Sequence, residues 1–460
     1  MIEQTLDPVF VQRQIDALRA AIADGALDDA AAEAVDALPR VTAPDATAPL
    51  LAALPAGGAG PASSGGGPDE PDVPFMGRDP IAAMLQTAIE ERVRSEHPDA
   101  IEELPLGDLA AMSATPAAIA TMHESDQFTT ADIRWVTEVG QAVLKRLAKG
   151  NHRFNRMPAE IETARDDARV VLVGDWGSGL PRARAVAAHM AEEVRDAVAN
   201  GREVHVIHLG DVYYSGERSE YDNRVLGAGL WPVTAAQAAA GVGSWSLNGN
   251  HDMYSGGWAY YDRLLAEPRF AMQRSPDGKG TSYFRIRTPS WDIVGLDTAW
   301  DADPLAMGHR AVLEDPQAEF VARVAASSNR RLMLLSHHQF VSVYSPHDIG
   351  KILPTKLASL LAARRITAWF WGHEHRCMGF EDTGGVAFPR CVGHGGVPVL
   401  SRPEGAPTPP PGIWEERGFL DDRGRHWARF GFAVLDFQGA AIDVRYRNDL
   451  GAETREEDIG

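Results

Sequence analysis

Five short stretches carry residue types able to do chemistry, and each follows an apolar run. They read "VVLVGDWG" (170–177), "HVIHLGDVYY" (205–214), "WSLNGNHD" (245–252), "LMLLSHH" (332–338) and "AWFWGHEH" (368–375). The candidates are Asp175, Asp211 with Tyr214, Asn250 with His251, His337 with His338, and His373 with His375. Singly, each has a plain explanation: Asn, Asp and Gly are turn residues, and an Asp after Gly can cap a helix. Repeated at five successive run ends, they form a ligand pattern. Carboxylate, amide oxygen, phenolate and imidazole suit hard to borderline metal ions, and no thiolate accompanies them. They are too many for one ion, whereas two ions sharing Asp211 would use them all.

The elements that must position these residues are legible from periodicity. Val170–Val173 is a continuous apolar run, the mark of a parallel strand buried on both faces. Strands are read likewise before Asp211, His337 and His373, and Trp245 and Leu247 form an apolar lead-in to Asn250. Helical segments such as "RARAVAAHMAEEVRDAVANG" (182–201) lie between them. Alternating strand and helix predicts an α/β domain, about 166–450, whose polar residues gather at the C-terminal strand ends. Upstream, 1–43 is a helical segment with apolar residues at Val11, Ile15, Leu18 and Ile22. Residues 44–79 form an Ala/Gly/Pro-rich linker too poor in apolar residues to offset its ordering entropy. Residues 80–165 are a helical region, in which "TTADIRWVTEVGQAVLKRLAKG" (129–150) runs from a Thr cap to a stop at Gly150.

Composition narrows the function classes. The chain of 460 residues carries a formal net charge of -20, which disfavours nucleic acid and anionic membrane surfaces as partners. Cys377 and Cys391, its two cysteines, build no disulfide framework. No run of about 18 apolar residues predicts a membrane span. The N-terminus shows neither a basic n-region nor an apolar h-region, so the expected compartment is the cytoplasm. Oligomeric state is not readable.

The ordered motifs resemble those of the calcineurin-like metallophosphoesterases, in particular their purple acid phosphatase branch. That branch spells them Gly-Asp-x-Gly, Gly-Asp-x-x-Tyr, Gly-Asn-His-Asp/Glu, apolar-x-x-His and Gly-His-x-His. Here they read "GDWG" (174–177), "GDVYY" (210–214), "GNHD" (249–252), "LLSH" (334–337) and "GHEH" (372–375). The resemblance spans about 168–447, including "GHGG" (393–396) and the tail "FGFAVLDFQGAAIDVRYR" (430–447). It implies a four-layer αββα sandwich with, here, an N-terminal helical extension.

The resemblance further implies that Asp175, Asp211, Tyr214 and His375 hold one metal, and Asp211, Asn250, His337 and His373 the other. Most of the superfamily has His where this chain has Gly177. Tyr214 would replace it, and a phenolate favours Fe(III), paired with a divalent Fe, Zn or Mn. Tyr213 is read as strand-end packing and His338 as a neighbour of the ligands. His251 would face substrate as general acid, with Asp252 orienting it or making a local turn bond, and His347 would be a substrate histidine. His205, His208 and Asp297 are read as structural. The implied reaction is hydrolysis of small phosphate monoesters through a metal-bridging hydroxide, two cations about 3.5–4 Å apart clamping the phosphoryl oxygens. Alternatives are a phosphodiesterase on the same fold, acting on a cyclic nucleotide or lipid head group, and a non-catalytic binding module. The module is disfavoured because every ligand position and His251 are filled.

Overall fold

The computed structural model describes residues 149–161, 163–301, 311–344, 352–403, 405–422 and 424–460, with Ala142 and Arg146. The chain divides into two compact units, Met1–Gly150 and Asn151–Gly460. In the first, Ala142, Arg146 and Lys149 are helical. Gly150, left-handed at φ 74°, donates its N–H to the Arg146 carbonyl at 2.7 Å. The expected stop at Gly150 is thus where the helix ends. The segments read at 1–43 and 44–79, and most of 80–165, lie outside the described residues.

Among the described residues of the second unit, sixteen strands build two large sheets and a hairpin. In chain order they are β1 (Ala159–Ile161), β2 (Arg169–Val173), β3 (Val204–His208), β4 (Gly243–Ser246), β5 (Phe284–Arg287), β6 (Trp291–Leu296), β7 (Arg331–Ser336) and β8 (Ile366–Trp371). There follow β9 (Cys377–Phe380), β10 (Val386–Val392), β11 (Gly412–Glu415), β12 (Phe419–Asp422), β13 (Arg425–Ala428), β14 (Gly431–Gln438), β15 (Ala441–Asn448) and β16 (Glu453–Ile459). One sheet has the order β1-β5-β6-β7-β8-β10-β9-β11, the other β16-β15-β14-β2-β3-β4, and β12 pairs with β13. Helices α1 (Pro181–Ala199), α2 (Asn250–Tyr254) and α3 (Asp315–Ser327) follow β2, β4 and β6.

The sheets pack face to face. Leu172, Ile207 and Trp245 of the six-stranded sheet share one core with Ile293, Leu335 and Phe370 of the eight-stranded sheet. On the far side of the larger sheet, Val294, Leu334 and Trp369 pack with Phe320, Val321 and Val324 of α3. On the other flank α1 buries Ala183, Val186, Ala187, Met190, Val194 and Ala197, a stripe at helical spacing, beside β2, β3 and β14. The result is the four-layer αββα sandwich that the resemblance implies, and the continuous apolar runs belong to strands covered on both faces.

The second unit takes in strands on either side of the span read at 166–450: β1 pairs in parallel with β5, Ala159 opposite Phe284, and β16 pairs with β15 out to Ile459. A three-residue strand such as β1 is too short to show a period. Cys377 and Cys391 face the inner and outer cores of one sheet, so they do not bridge. Among the described residues no helix is long and apolar enough to cross a membrane.

One buried charge network ties α1 to the six-stranded sheet. Arg169 lies opposite Asp436 in the β2–β14 register and donates to both its oxygens, at 2.7 and 3.0 Å. It also reaches Glu193 of α1 at 2.8 Å. Burial raises the Asp436 pKa, but the hydrogen bonds and charge of Arg169 outweigh it and hold the carboxyl below its usual range. Arg169→Met should therefore leave two buried carboxylates without this partner and cost roughly 3–5 kcal/mol in urea unfolding at neutral pH. A depressed folded pKa contributes stability above the unfolded pKa and loses it as pH falls through the folded one. The gap between wild type and variant should accordingly narrow under acid.

Candidate metal centre

β2, β3 and β4 run parallel in one sheet, and β6, β7, β8 and β10 run parallel in the other. The candidate residues follow β2, β3, β4, β7 and β8. The turns that carry them are held in costly backbone conformations. Among the described residues, five non-glycine positions have φ between 49° and 77°: Asp175, Asp211, Arg364, His373 and His375. Four of the five are candidate ligands. A left-handed side-chain-bearing residue costs about 1–3 kcal/mol and persists only where the surroundings over-determine it. Close approach is also enforced by glycine: a Cβ on Gly249 would lie 2.0 Å from Asp211 Oδ1.

The structure brings these side chains together. Asp175, Asp211 and His375 offer ligand atoms within 4.8 Å of one another, and so do His337, His338 and His373. His375 Nε2 is 3.4 Å from Asp175 Oδ1, and His337 Nε2 is 3.4 Å from Asp211 Oδ2. Asp175 Oδ2 accepts the backbone N–H of His373 at 2.7 Å, and Asp211 Oδ1 that of His251 at 3.0 Å. Asp175 is 0% and Asp211 1% exposed.

Whether such a set fits a cation can be judged at His337. Its Nδ1 is 3.0 Å from the Leu209 carbonyl, which can only accept, so Nδ1 carries the hydrogen. In the neutral ring Nε2 is then a bare lone pair. It faces Asn250 Oδ1 at 2.9 Å, while the Asn250 amide nitrogen donates to Tyr254 Oη at 2.8 Å. It also faces His373 Nδ1 at 3.1 Å. Protonation does not relieve the meeting of lone pairs at Asn250 Oδ1: burial above all, then His338 and His251, holds the His337 pKa well below its usual value. Asp211 is pushed the opposite way, well above the usual carboxylate range, by burial and then by Asp175 and Asp252. A bound cation reverses both penalties, so the donor set fits a metal ion.

Several expected roles change. The phenol in the cluster belongs to Tyr213, not Tyr214. Tyr213 Oη lies 3.1 Å from Asp175 Oδ1, 3.1 Å from Asp211 Oδ2 and 2.9 Å from His375 Nε2. Burial, followed by the two carboxylates, raises its pKa well above the ordinary phenol value. Tyr214 contributes its backbone: its carbonyl is 2.7 Å from His251 Nδ1 and its N–H donates to Glu220. Its ring lies 5.4 Å from the Arg224 guanidinium. Of two successive residues in this turn, one side chain faces the cluster. Asp252 makes the local turn bond, accepting the N–H of Gly249 at 2.7 Å, and it also accepts that of Asp211 at 2.8 Å and the Tyr221 hydroxyl. These bonds brace the two ligand turns. His338, read as a neighbour of the ligands, offers a ring nitrogen within 4.8 Å of those of His337 and His373, its Nδ1 lying 2.9 Å from Thr298 Oγ1. The doubled His in the sequence was its signal. His347 lies outside the described residues.

His205 and His208 are structural, as read. His205 bonds Glu203 at 2.9 Å, and His208 Nδ1 lies 3.3 Å from Ser246 Oγ, its pKa pushed down to about 3 by burial. Asp297 caps its own strand end through the N–H groups of Ala299 and Trp300.

Residues 168–377, which contain every turn of the cluster, match the family described as calcineurin-like phosphoesterase. Tartrate-resistant acid phosphatase type 5 of Rattus norvegicus is 25% identical over 241 residues, covering 48% of this chain and 70% of that protein. The Oryctolagus cuniculus protein of the same name is 26% identical over 248 residues, covering 49% and 73%. Among solved structures, GAP50, the anchor in the inner membrane complex of Plasmodium, aligns at 10% identity with a TM-score of 0.44, covering 64% of this chain and 88% of that one.

The two tyrosines can be told apart by metal binding. Tyr213→Phe should weaken it by roughly tenfold or more, at least the penalty of losing an outer partner of a ligand. Tyr214→Phe should leave it near wild type. Metal titration by calorimetry on both variants decides the matter, and the reverse order would return the ligand role to Tyr214.

Proposed function

Through residues 168–377 the chain belongs to the calcineurin-like phosphoesterases, on their purple acid phosphatase-like side, and from that premise we propose that it hydrolyses phosphate monoesters at a dinuclear metal centre. The observation that carries this reading is the clustering of two donor groups around one shared carboxylate, Asp211. Asp175, Asp211, Tyr213 and His375 would hold one ion; Asp211, Asn250, His337 and His373 would hold the other, with His338 beside them. A phenolate donor favours Fe(III) at the first position, leaving a divalent Fe, Zn or Mn for the second. Bound there, the pair would supply Lewis acidity toward phosphoryl oxygens and a lowered pKa for the attacking water.

The chain's own residues then have distinct tasks. His251 carries its hydrogen on Nδ1 toward the Tyr214 carbonyl. Its Nε2 points into the cluster, 3.9 Å from Asp211 Oδ2. In the protonated ring, Nε2 can give its proton to the departing oxygen of a small ester. The backbone bond from His251 N–H to Asp211 Oδ1 fixes the distance between acid and shared carboxylate. Asp252 holds the Gly249 and Asp211 backbones together, so that the acid-bearing and metal-bearing turns move as one piece.

His251→Ala tests the acid. An alkyl phosphate leaves as a strongly basic alkoxide, and losing the acid should lower its kcat on the order of a hundredfold or more. A nitrophenyl phosphate leaves as a stabilised phenolate and should lose far less. Equal losses at full metal occupancy would assign His251 to phosphate binding alone. A panel of diesters run beside the two monoesters decides the ester class, and preference for a diester would overturn the monoesterase reading.

Metal removal gives a readout independent of turnover. Ligands from both sheets would be joined by the ions, so a chelator should lower the thermal midpoint by several degrees, and added metal should restore it. The oxidised, iron-loaded protein should absorb in the visible through its tyrosinate, and Tyr213→Phe should remove that band. A midpoint indifferent to chelation would argue against a buried metal pair.

A further inference from the structure

We infer that Glu220 is a positioning residue for the general acid, acting through the backbone of Tyr214; the inference rests on the proposed role of His251. Glu220 ends the short helix Arg218–Glu220 and is 5% exposed. One of its bonds is ordinary helix capping: it accepts the N–H of Glu217 at 2.8 Å, closing a capping box. A cap needs no more than this. The same carboxylate also reaches back out of the helix, accepting the N–H of Tyr214 and that of Ser215, the latter at 3.1 Å. Arg224, one turn further on, pairs with Glu220 at 3.3 Å and donates to the Tyr213 carbonyl.

The Tyr213 carbonyl and the Tyr214 N–H are the two polar groups of a single peptide unit. Glu220 and Arg224, themselves paired, therefore bind both polar groups of that unit, and two site features hang from it. Behind it is the Tyr213 phenol, within 3.1 Å of Asp175, Asp211 and His375. Ahead of it is the Tyr214 carbonyl, 2.7 Å from His251 Nδ1. That carbonyl selects the tautomer and the orientation that aim His251 Nε2 into the cluster. An error of about 1 Å in such a group costs up to about a hundredfold in rate, so a clamp on this peptide bears on proton delivery as well as on stability.

The test uses the full chain with metal occupancy measured in every variant. Glu220→Ala removes the clamp. Glu220→Asp keeps the charge opposite Arg224 but withdraws the carboxylate by one methylene, and it carries the test should the alanine variant fail to fold. Each should lower kcat for an alkyl phosphate by about tenfold or more, nitrophenyl phosphate much less, and KM little. Placed on a His251→Ala background, neither should widen the difference between the two esters any further. Equal losses on both esters, or an ester difference that widens on the His251→Ala background, would overturn the inference and leave Glu220 as a helix cap. The His251→Ala variant alone reports on the underlying reading: if it fails to separate the two esters, the acid role fails there, and the role of Glu220 falls with it.

Discussion

Two carboxylates buried side by side set the terms for everything at the strand ends. Asp175 and Asp211 share the Tyr213 phenol and have almost no contact with solvent. Two unit negative charges 4 Å apart repel by about 4 kcal/mol even at an effective dielectric constant of 20, and desolvation adds to that. Burial is the largest cause of the upward push on Asp211 and Tyr213 and of the downward push on His337, and neighbouring carboxylates add to the first two alone. The left-handed backbones of Asp175, Asp211, His373 and His375 show that the fold holds this arrangement against local preference as well.

Around that cluster the chain uses carboxylates in a second way. Asp252 and Glu220 collect backbone N–H groups from the turns that carry the donors. Backbone N–H groups converge on each, joined by the Tyr221 hydroxyl at Asp252 and the Arg224 guanidinium at Glu220. Burial still raises them, Asp252 to about 6 and Glu220 to about 7, with hydrogen bonds pulling the other way at Asp252 and the Arg224 charge, then hydrogen bonds, at Glu220. The carboxylate group thus faces other candidate ligands in one place and braces the backbone in another.

The sandwich and most of the cluster were legible because both leave periodic marks. A strand covered on both faces must be apolar throughout, and a donor at its end must interrupt that run, as Asp175 does after Val170–Val173. The choice between Tyr213 and Tyr214 was not legible, since motif spacing counts residues whereas the direction of a side chain depends on torsions within one turn. Asp252 was half legible: its local bond to Gly249 follows from spacing of three, but its bond to Asp211 spans 41 positions. Glu220 gave no signal beyond a helix cap, because its other partners are backbone groups upstream. β1 left none, having too few residues for a period.

The place of β2 within its sheet governs when the molecule can be completed. β2 carries the first donor turn and lies between β3 and β14, and its pair Arg169–Asp436 joins positions 267 apart. During synthesis β2 and β3 emerge together, while the strand that must cover the other edge of β2 follows some 267 positions later. Pairing at such separation is entropically late and makes for slow folding. Until β14 arrives, the growing chain presents an apolar strand with an open edge, a hazard for association with other chains. Loss of the C-terminal strands, none of which holds a donor, would leave the nascent protein in that condition permanently.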